Sequence, residues 1–345
     1  METLIMRSSQ VTIKDIAREL GISPSTVSRA LKDHPDISIE TKKAVTELAE
    51  KLNYTPNSIA LSLRQQKTNT IGVIIPEIIH FFFSTVISGI EDIAYDAGYS
   101  VIVSQSNESY EREVIDSKAL FNNRVDGMLI SLSRETVQFD HLKSLFDRGV
   151  PMVFFDRVTD AINCSKVVVD DFGGSFEATE HLINQGYKRI AHLSGPKSLT
   201  ISEVRLEGYK AALAKHNIPY DEKLVMRDNA SEDEQSAKKL TEQLLSGINP
   251  PDSLFAINDI AALGAMIAAK EKGLKIPKDF GIVGFSNWRF TSLTEPPMTT
   301  VNQPGFEMGQ EAARLLIKQI EAKDDELVEP ETVKLKTNLI VRGSS

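Results

Sequence analysis

The chain has 345 residues, 41% hydrophobic and 25% charged, with a single cysteine and a formal net charge of −9. This length and balance suit two or three globular domains and exclude a disordered or low-complexity chain. The lone Cys164 excludes an internal disulfide and reads as a small packing residue. No apolar run reaches the roughly 18 residues of a membrane span. Met1–Gln10 lacks the basic and apolar blocks of a signal peptide, so a cytoplasmic protein is expected. The charge is unevenly shared: residues 1–67 hold ten Lys/Arg against eight Asp/Glu (+2), and the remainder 29 against 40 (−11). That asymmetry suits a DNA-facing module on an acidic core. At +2, attraction to phosphates has to be local.

The chain opens with two short helices around a tight turn. Thr12 suits the N-cap of a helix with the apolar face Ile13, Ile16, Ala17 and Leu20, and Gly21 supplies the left-handed residue that ends it. Ser23 caps and Pro24 starts a second helix, which runs to about Leu31. It buries Val27, Ala30 and Leu31 and leaves Ser25, Thr26, Ser28 and Arg29 outside. Small hydroxyls and one guanidinium on a narrow helix fit the major groove and can read base edges there. Ser38 caps a third helix ending near Leu52, with Val45, Leu48, Ala49 and Leu52 on one face.

The run Ile16-Ala-Arg-Glu-Leu-Gly-Ile-Ser-Pro-Ser-Thr-Val-Ser-Arg-Ala-Leu, followed by Leu52-Asn-Tyr-Thr-Pro-Asn and Ala60-Leu-Ser-Leu-Arg, resembles the headpiece of the lactose-repressor (LacI) family. The resemblance implies operator contacts at Thr12, Ser23, Pro24, Ser25, Thr26, Ser28, Arg29, Asn57, Ala60, Leu63 and Arg64. It makes Ser58–Arg64 a hinge helix, ordered when two copies pack together on DNA; seven residues are too few to hold a helix alone in water. Leu63 matches the family's intercalating leucine, an apolar wedge that kinks DNA from the minor groove. Leu61 departs from the polar or basic residue that relatives often carry.

Gln65–Asn69 reads as a link, and from Thr70 strands and helices alternate. Strands are predicted at 71–75, 100–104, 125–131 and 151–156, with helices at 83–97, 110–122 and 139–148. A second run has strands at 167–169, 189–193, 224–227, 253–257 and 281–285, with helices at 174–185, 202–216, 232–245 and 261–272. A last helix, 306–321, precedes two short strands. Apolar strands such as Ile71–Ile75 belong in parallel sheets covered on both faces. The fold class is therefore α/β, with two doubly wound parallel-sheet lobes and a cleft at the carboxyl ends of their strands. The resemblance makes this core periplasmic-binding-protein-like, with three chain crossings between lobes. The expected domains are a helix-turn-helix headpiece (1–56), hinge and linker (57–69), lobe 1 (70–169 and 304–333) and lobe 2 (170–303 and 334–345).

Polar and aromatic residues follow several strands. These are Asp156 and Arg157, Arg205 beyond the loop at Gly195, Asn258 and Asp259, Ser286 to Trp288, and Gln303 beside Pro304, with Phe82 and Phe83 starting the first core helix. Asp259 reads as a helix cap. Carboxylate, guanidinium, amides and rings together suit a polyhydroxylated ligand. Arg205 is the preferred contact, because its fork of donors clamps hydroxyls or a carboxylate. In relatives that bind sugars or purines, the positions matching Asp156, Arg205, Asn258 and Gln303 contact the effector. Ser286 stands where sugar-binding relatives commonly carry Asp, which makes the pocket less negative and is compatible with an anionic effector such as a sugar acid or sugar phosphate. Asn229-Ala230 lacks a stacking aromatic, leaving that role to Trp288 or Phe82.

The expectation is a ligand-responsive, sequence-specific DNA-binding regulator, a repressor, that binds a palindromic operator as a homodimer. Its small-molecule effector is expected to be a sugar, sugar acid or sugar phosphate. A transport-type solute-binding protein would share the core and lack the headpiece. No Walker loop, Gly-x-Ser-x-Gly, His-Glu-x-x-His or zinc-binding Cys pair occurs, so no enzyme, metal or cofactor is expected. No heptad repeat follows Val341, which favours a dimer over a tetramer.

Overall fold

The computed structural model describes residues 11–54, 67–79, 81–227, 233–323 and 327–345. The expected hinge contacts Asn57, Ala60, Leu63 and Arg64 lie outside them, as does the loop at Asn229-Ala230. The chain divides into two compact units between Thr68 and Asn69.

The first unit contains α1 (Ile13–Leu20), α2 (Pro24–Ala30) and α3 (Ile39–Lys51). At the start of α1 the Asp15 carboxylate accepts both the backbone N–H and the hydroxyl of Thr12, at 3.0 and 2.6 Å. Gly21 ends the helix at φ 64, a conformation that costs glycine nothing. Ser23 and Ser38 accept the N–H of Thr26 and Thr41 and so cap α2 and α3. Ile16, Val27 and Val45, one from each helix and all fully buried, meet in one small core. Each such burial contributes about 1.5–3 kcal/mol and fixes which face of α2 is turned outward.

The second unit holds two six-stranded sheets. The first lobe takes β1 (Thr70–Ile75), α4 (Phe81–Asp96), β2 (Ser100–Gln105), α5 (Tyr110–Asn122), β3 (Gly127–Ile130), α6 (Asp140–Phe146), β4 (Met152–Phe155) and β5 (Ser165–Val169). The chain then builds the second lobe from α7 (Asp171–Asn184), β6 (Ile190–Leu193), α8 (Thr200–Lys215), β7 (Val225–Met226), α9 (Glu234–Leu245), β8 (Ser253–Ala256), α10 (Asp259–Glu271), β9 (Gly281–Ser286) and β10 (Thr299–Asn302). It returns to the first lobe for α11 (Gly305–Glu321) and β11 (Thr332–Leu335) and ends in the second with β12 (Asn338–Ile340). The strand orders are β11-β5-β4-β3-β1-β2 and β12-β10-β9-β8-β6-β7, and only the β10–β12 pair is antiparallel.

β5 pairs with β4 and β11 within the first lobe. Two details differ from the sequence expectation. β10 was not foreseen: Thr-Thr-Val-Asn has a single apolar residue, and it is a strand because β9 and β12 pair with it on either side, with Thr299 and Thr300 fully buried. The third crossing falls at 336–337, not after 333, because β11 pairs as far as Leu335 with Val169, so Lys334 and Leu335 belong to the first lobe. Asp170 ties the first and third crossings together. Its N–H donates to the Leu335 carbonyl at 2.8 Å, its carboxylate takes Lys334 at 2.6 Å, and its carbonyl accepts the Thr337 hydroxyl at 3.2 Å. Among the described residues no helix is long and apolar enough to cross a membrane.

Candidate ligand cleft and DNA-reading surface

The carboxyl ends of the strands of both lobes border a cavity of about 80 Å3. All eight ligand candidates named from the sequence line it: Phe82, Phe83, Asp156, Arg205, Asn258, Ser286, Trp288 and Gln303. The sequence reading did not single out Glu108, Arg134, Leu199, Ile201, Ser202 and Ile257, which also line it. Glu108 and Arg134 lie three and four residues beyond β2 and β3, so asking for the charged residues within four positions of every strand end would have found them. Leu199, Ile201 and Ser202 enter only because the start of α8 is turned toward the other lobe.

Arg205 differs from the expected open clamp. It is 3% exposed; its Nε donates to Asp171 Oδ1 at 2.7 Å and its Nη1 to the Ile257 carbonyl at 2.6 Å. Its guanidinium also lies 3.7 Å from the centre of the Phe285 ring. Only the rest of its fork is available to a ligand. Burial pushes the Asp171 carboxyl above its ordinary range, and Arg205 opposes that rise. Across the cavity, Arg157 Nη1 donates to both Glu108 oxygens at 2.9 and 2.7 Å, and the Arg134 N–H donates to Glu108 at 2.8 Å. Burial alone would raise the Glu108 carboxyl, but Arg157 beside it holds it below the usual range. Asp156, held at φ 59, makes no such pair; burial pushes its carboxyl up to about 6, with Arg157 acting against the rise.

The wall after β9 is a turn with Ser286 at φ 114 and Asn287 at φ 56. Several contacts fix this strained backbone. The Ser286 hydroxyl donates to Gln303 Oε1 at 2.6 Å, and Arg342, from the end of the chain, donates to Asn287 Oδ1 at 2.8 Å. Asp259 does not cap α10. Asn258 does, accepting the Ala261 N–H at 2.8 Å. The fully buried Asp259 carboxylate instead accepts the Trp288 N–H at 2.7 Å and the Thr300 hydroxyl at 2.5 Å, and burial pushes it up to about 7. Trp288, the one tryptophan of the chain, is thereby set into the cavity wall. Cys164 is buried away from this site, and burial pushes its thiol up to about 12, which leaves an inert packing residue. Among the described residues no cluster of His, Cys, Asp or Glu is placed to hold a metal.

On the first unit, Ser25 and Arg29 of α2 are exposed and Thr26 and Ser28 are half-buried, with Thr12, Ser23 and Pro24 exposed at the helix starts. The Ser23 hydroxyl lies 2.7 Å from that of Ser25 and 2.8 Å from that of Thr26, a compact polar ridge.

Residues 12–57 match the family described as bacterial regulatory proteins, lacI family, and residues 179–345 match a periplasmic binding protein-like domain. The ribose operon repressor of Halalkalibacterium halodurans is 36% identical over 334 residues, 97% of either chain. The chain belongs to the LacI family of bacterial regulatory proteins. As a LacI-family member it is a DNA-binding transcriptional regulator with a helix-turn-helix headpiece and a periplasmic-binding-protein-like core. Among solved structures it is similar to the lac repressor dimer bound to operator and the anti-inducer ONPF: 27% identity, TM-score 0.84, covering 97% of this chain and 99% of that one. It is also similar to the CelR–cellobiose complex: 29% identity, TM-score 0.74, covering 97% and 100%.

Proposed function

We propose that this regulator is a repressor that binds a palindromic operator as a homodimer and responds to a sugar or sugar derivative in the cleft. The observation that carries the ligand side is the convergence of Asp156, Arg205, Asn258, Ser286 and Gln303 with three aromatic rings on one cavity. Directional acceptors and donors beside ring faces are what a polyhydroxylated molecule needs. The solved relatives include one with cellobiose, in agreement with this reading.

On the DNA side, Ser25, Thr26, Ser28 and Arg29 read bases, while Thr12, Ser23 and Pro24 place the helix against the backbone. Asn57, Ala60, Leu63 and Arg64 act from the hinge segment, with Leu63 as the minor-groove wedge. Such a regulator works in the cytoplasm and is not an enzyme; of the two carboxylates lining the cleft, Glu108 is engaged by Arg157. The effector acts by binding one lobe arrangement better than another, which is the only way it can shift the population that holds DNA.

The test pairs two measurements on the full chain. A panel of sugars, sugar acids and sugar phosphates is screened for a rise in melting temperature, about 2.7 kcal/mol of stabilisation at a hundredfold excess over Kd. Any hit is then titrated into an operator complex. A hit that stabilises the core and leaves operator affinity unchanged would sink the reading.

A further inference from the structure

We infer that the cleft ligand carries an anionic group, a carboxylate or a phosphate, seated at the amino end of α8 against Ser202. The inference rests on the reading of this cavity as the effector site. Three independent features point to it.

The first is the helix end. α8 is 16 residues long, and no side chain caps it at Leu199. By contrast α7 and α10 are capped by Asp170 and Asn258. Leu199, Ile201 and Ser202 line the cavity, which places the positive end of the helix dipole beside it, although the Ser202 N–H itself is donated to the Leu199 carbonyl.

The second is a set of buried donors. The Ser202 hydroxyl is fully buried and has no hydrogen-bond partner among the described residues. The same holds for Nε2 of Gln303, which is 7% exposed, and for Nε of Arg157. Leaving a buried donor unmade costs about 1–3 kcal/mol. Three of them on one cavity suit a ligand rich in acceptors. Each sugar hydroxyl brings a donor with its acceptors, whereas a carboxylate or phosphate oxygen only accepts.

The third is the charge arrangement. Arg134, Arg157 and Arg205 line the cavity. Arg157 and Arg134 share Glu108, and Arg205 is paired with Asp171, so three guanidiniums face two paired carboxylates, one positive charge in excess before Asp156 is counted. Asp156 is in no ion pair among the described residues, and burial raises its carboxyl to about 6. After β9, where an acid would add negative charge, the chain has Ser286.

Trp288 allows a test on the full chain without knowing the ligand. The probes are iodide and caesium as fluorescence quenchers at equal ionic strength. A chain of net charge −9 favours caesium unless the cavity itself concentrates anions. With each quencher scaled to its effect on free N-acetyltryptophanamide, we expect iodide to quench Trp288 about tenfold more effectively than caesium, the lower end of what a focused local potential achieves. Inorganic phosphate or acetate should then compete, and whichever displaces iodide at lower concentration names the tetrahedral or the planar anion. Ser202→Asp should erase the iodide advantage, and the milder Ser202→Ala should reduce it in a protein that melts like the parent. Caesium quenching equal to or above iodide, no competition by either anion, or an iodide advantage unchanged in both variants would overturn the inference. None of these results bears on whether a cleft ligand controls operator binding, which neutral sugars in the operator titration test separately.

Discussion

Replacing Arg205 tests how much of the cleft is scaffold and how much is ligand contact. The guanidinium is buried against Asp171, whose side chain is 8% exposed, and it also holds the Ile257 carbonyl and covers Phe285. Arg205→Ala strands a buried carboxylate, and breaking one partner of a buried ion pair costs about 3–5 kcal/mol. For a unit of this size each kcal/mol moves the melting temperature by about 2–4 °C, so the core transition should fall by roughly 6–20 °C. The deficit should grow with pH. An unpaired Asp171 has a folded-state pKa above its unfolded one, so its contribution is present at low pH and is lost as pH rises through the folded value. Arg205→Met combined with Asp171→Asn removes both charges at similar volume and should recover most of the stability, because neutral replacement of a buried pair is often tolerated. The double variant should still fail to respond to effector, which separates the two roles. The assay is a thermal melt of the full chain from pH 5 to 8, read by circular dichroism. A single variant melting within about 2 °C of the parent at every pH would refute the reasoning.

Arg29→Ala should weaken operator binding by about 1–3 kcal/mol and flatten preference at one base position, as a competitive gel shift with operator variants would reveal; an unchanged preference would remove Arg29 from base reading. Gly309→Ala should destabilise the first lobe by about 1–3 kcal/mol or more, because the added Cβ would lie 2.0 Å from the Val86 carbonyl where α11 meets α4; a urea midpoint equal to the parent's would contradict it. Asp259→Asn should change the pH profile of stability. The Asp259 pKa is raised to about 7, so the stability tied to its proton is present at low pH and lost as pH rises through 7. The melting temperature of the variant relative to the parent should therefore climb between pH 5 and 8, and a constant difference would show that this carboxyl does not titrate there.

Local rules determined much of this protein. Thr12, Gly21, Ser23, Pro24 and Ser38 place the three headpiece helices, because caps, a left-handed stop and a first-turn proline act within a few residues. The period of apolar residues placed most core elements, and the rule that ligands meet strand carboxyl ends led to eight residues of one cavity. Tertiary structure decided the rest. β10 is a strand only because two neighbours pair with it, and β11 joins the first lobe by pairing with β5, far away in sequence. Arg205 proved to be largely committed to Asp171 and Ile257, and Asp259 to Trp288 and Thr300, since a side chain's partners depend on what the fold brings beside it. The open end of α8 and the unmatched Ser202 hydroxyl carry no local signature at all. A helix start looks the same in sequence whether it meets solvent or another lobe, and only the packing of the two lobes turns it into part of a site.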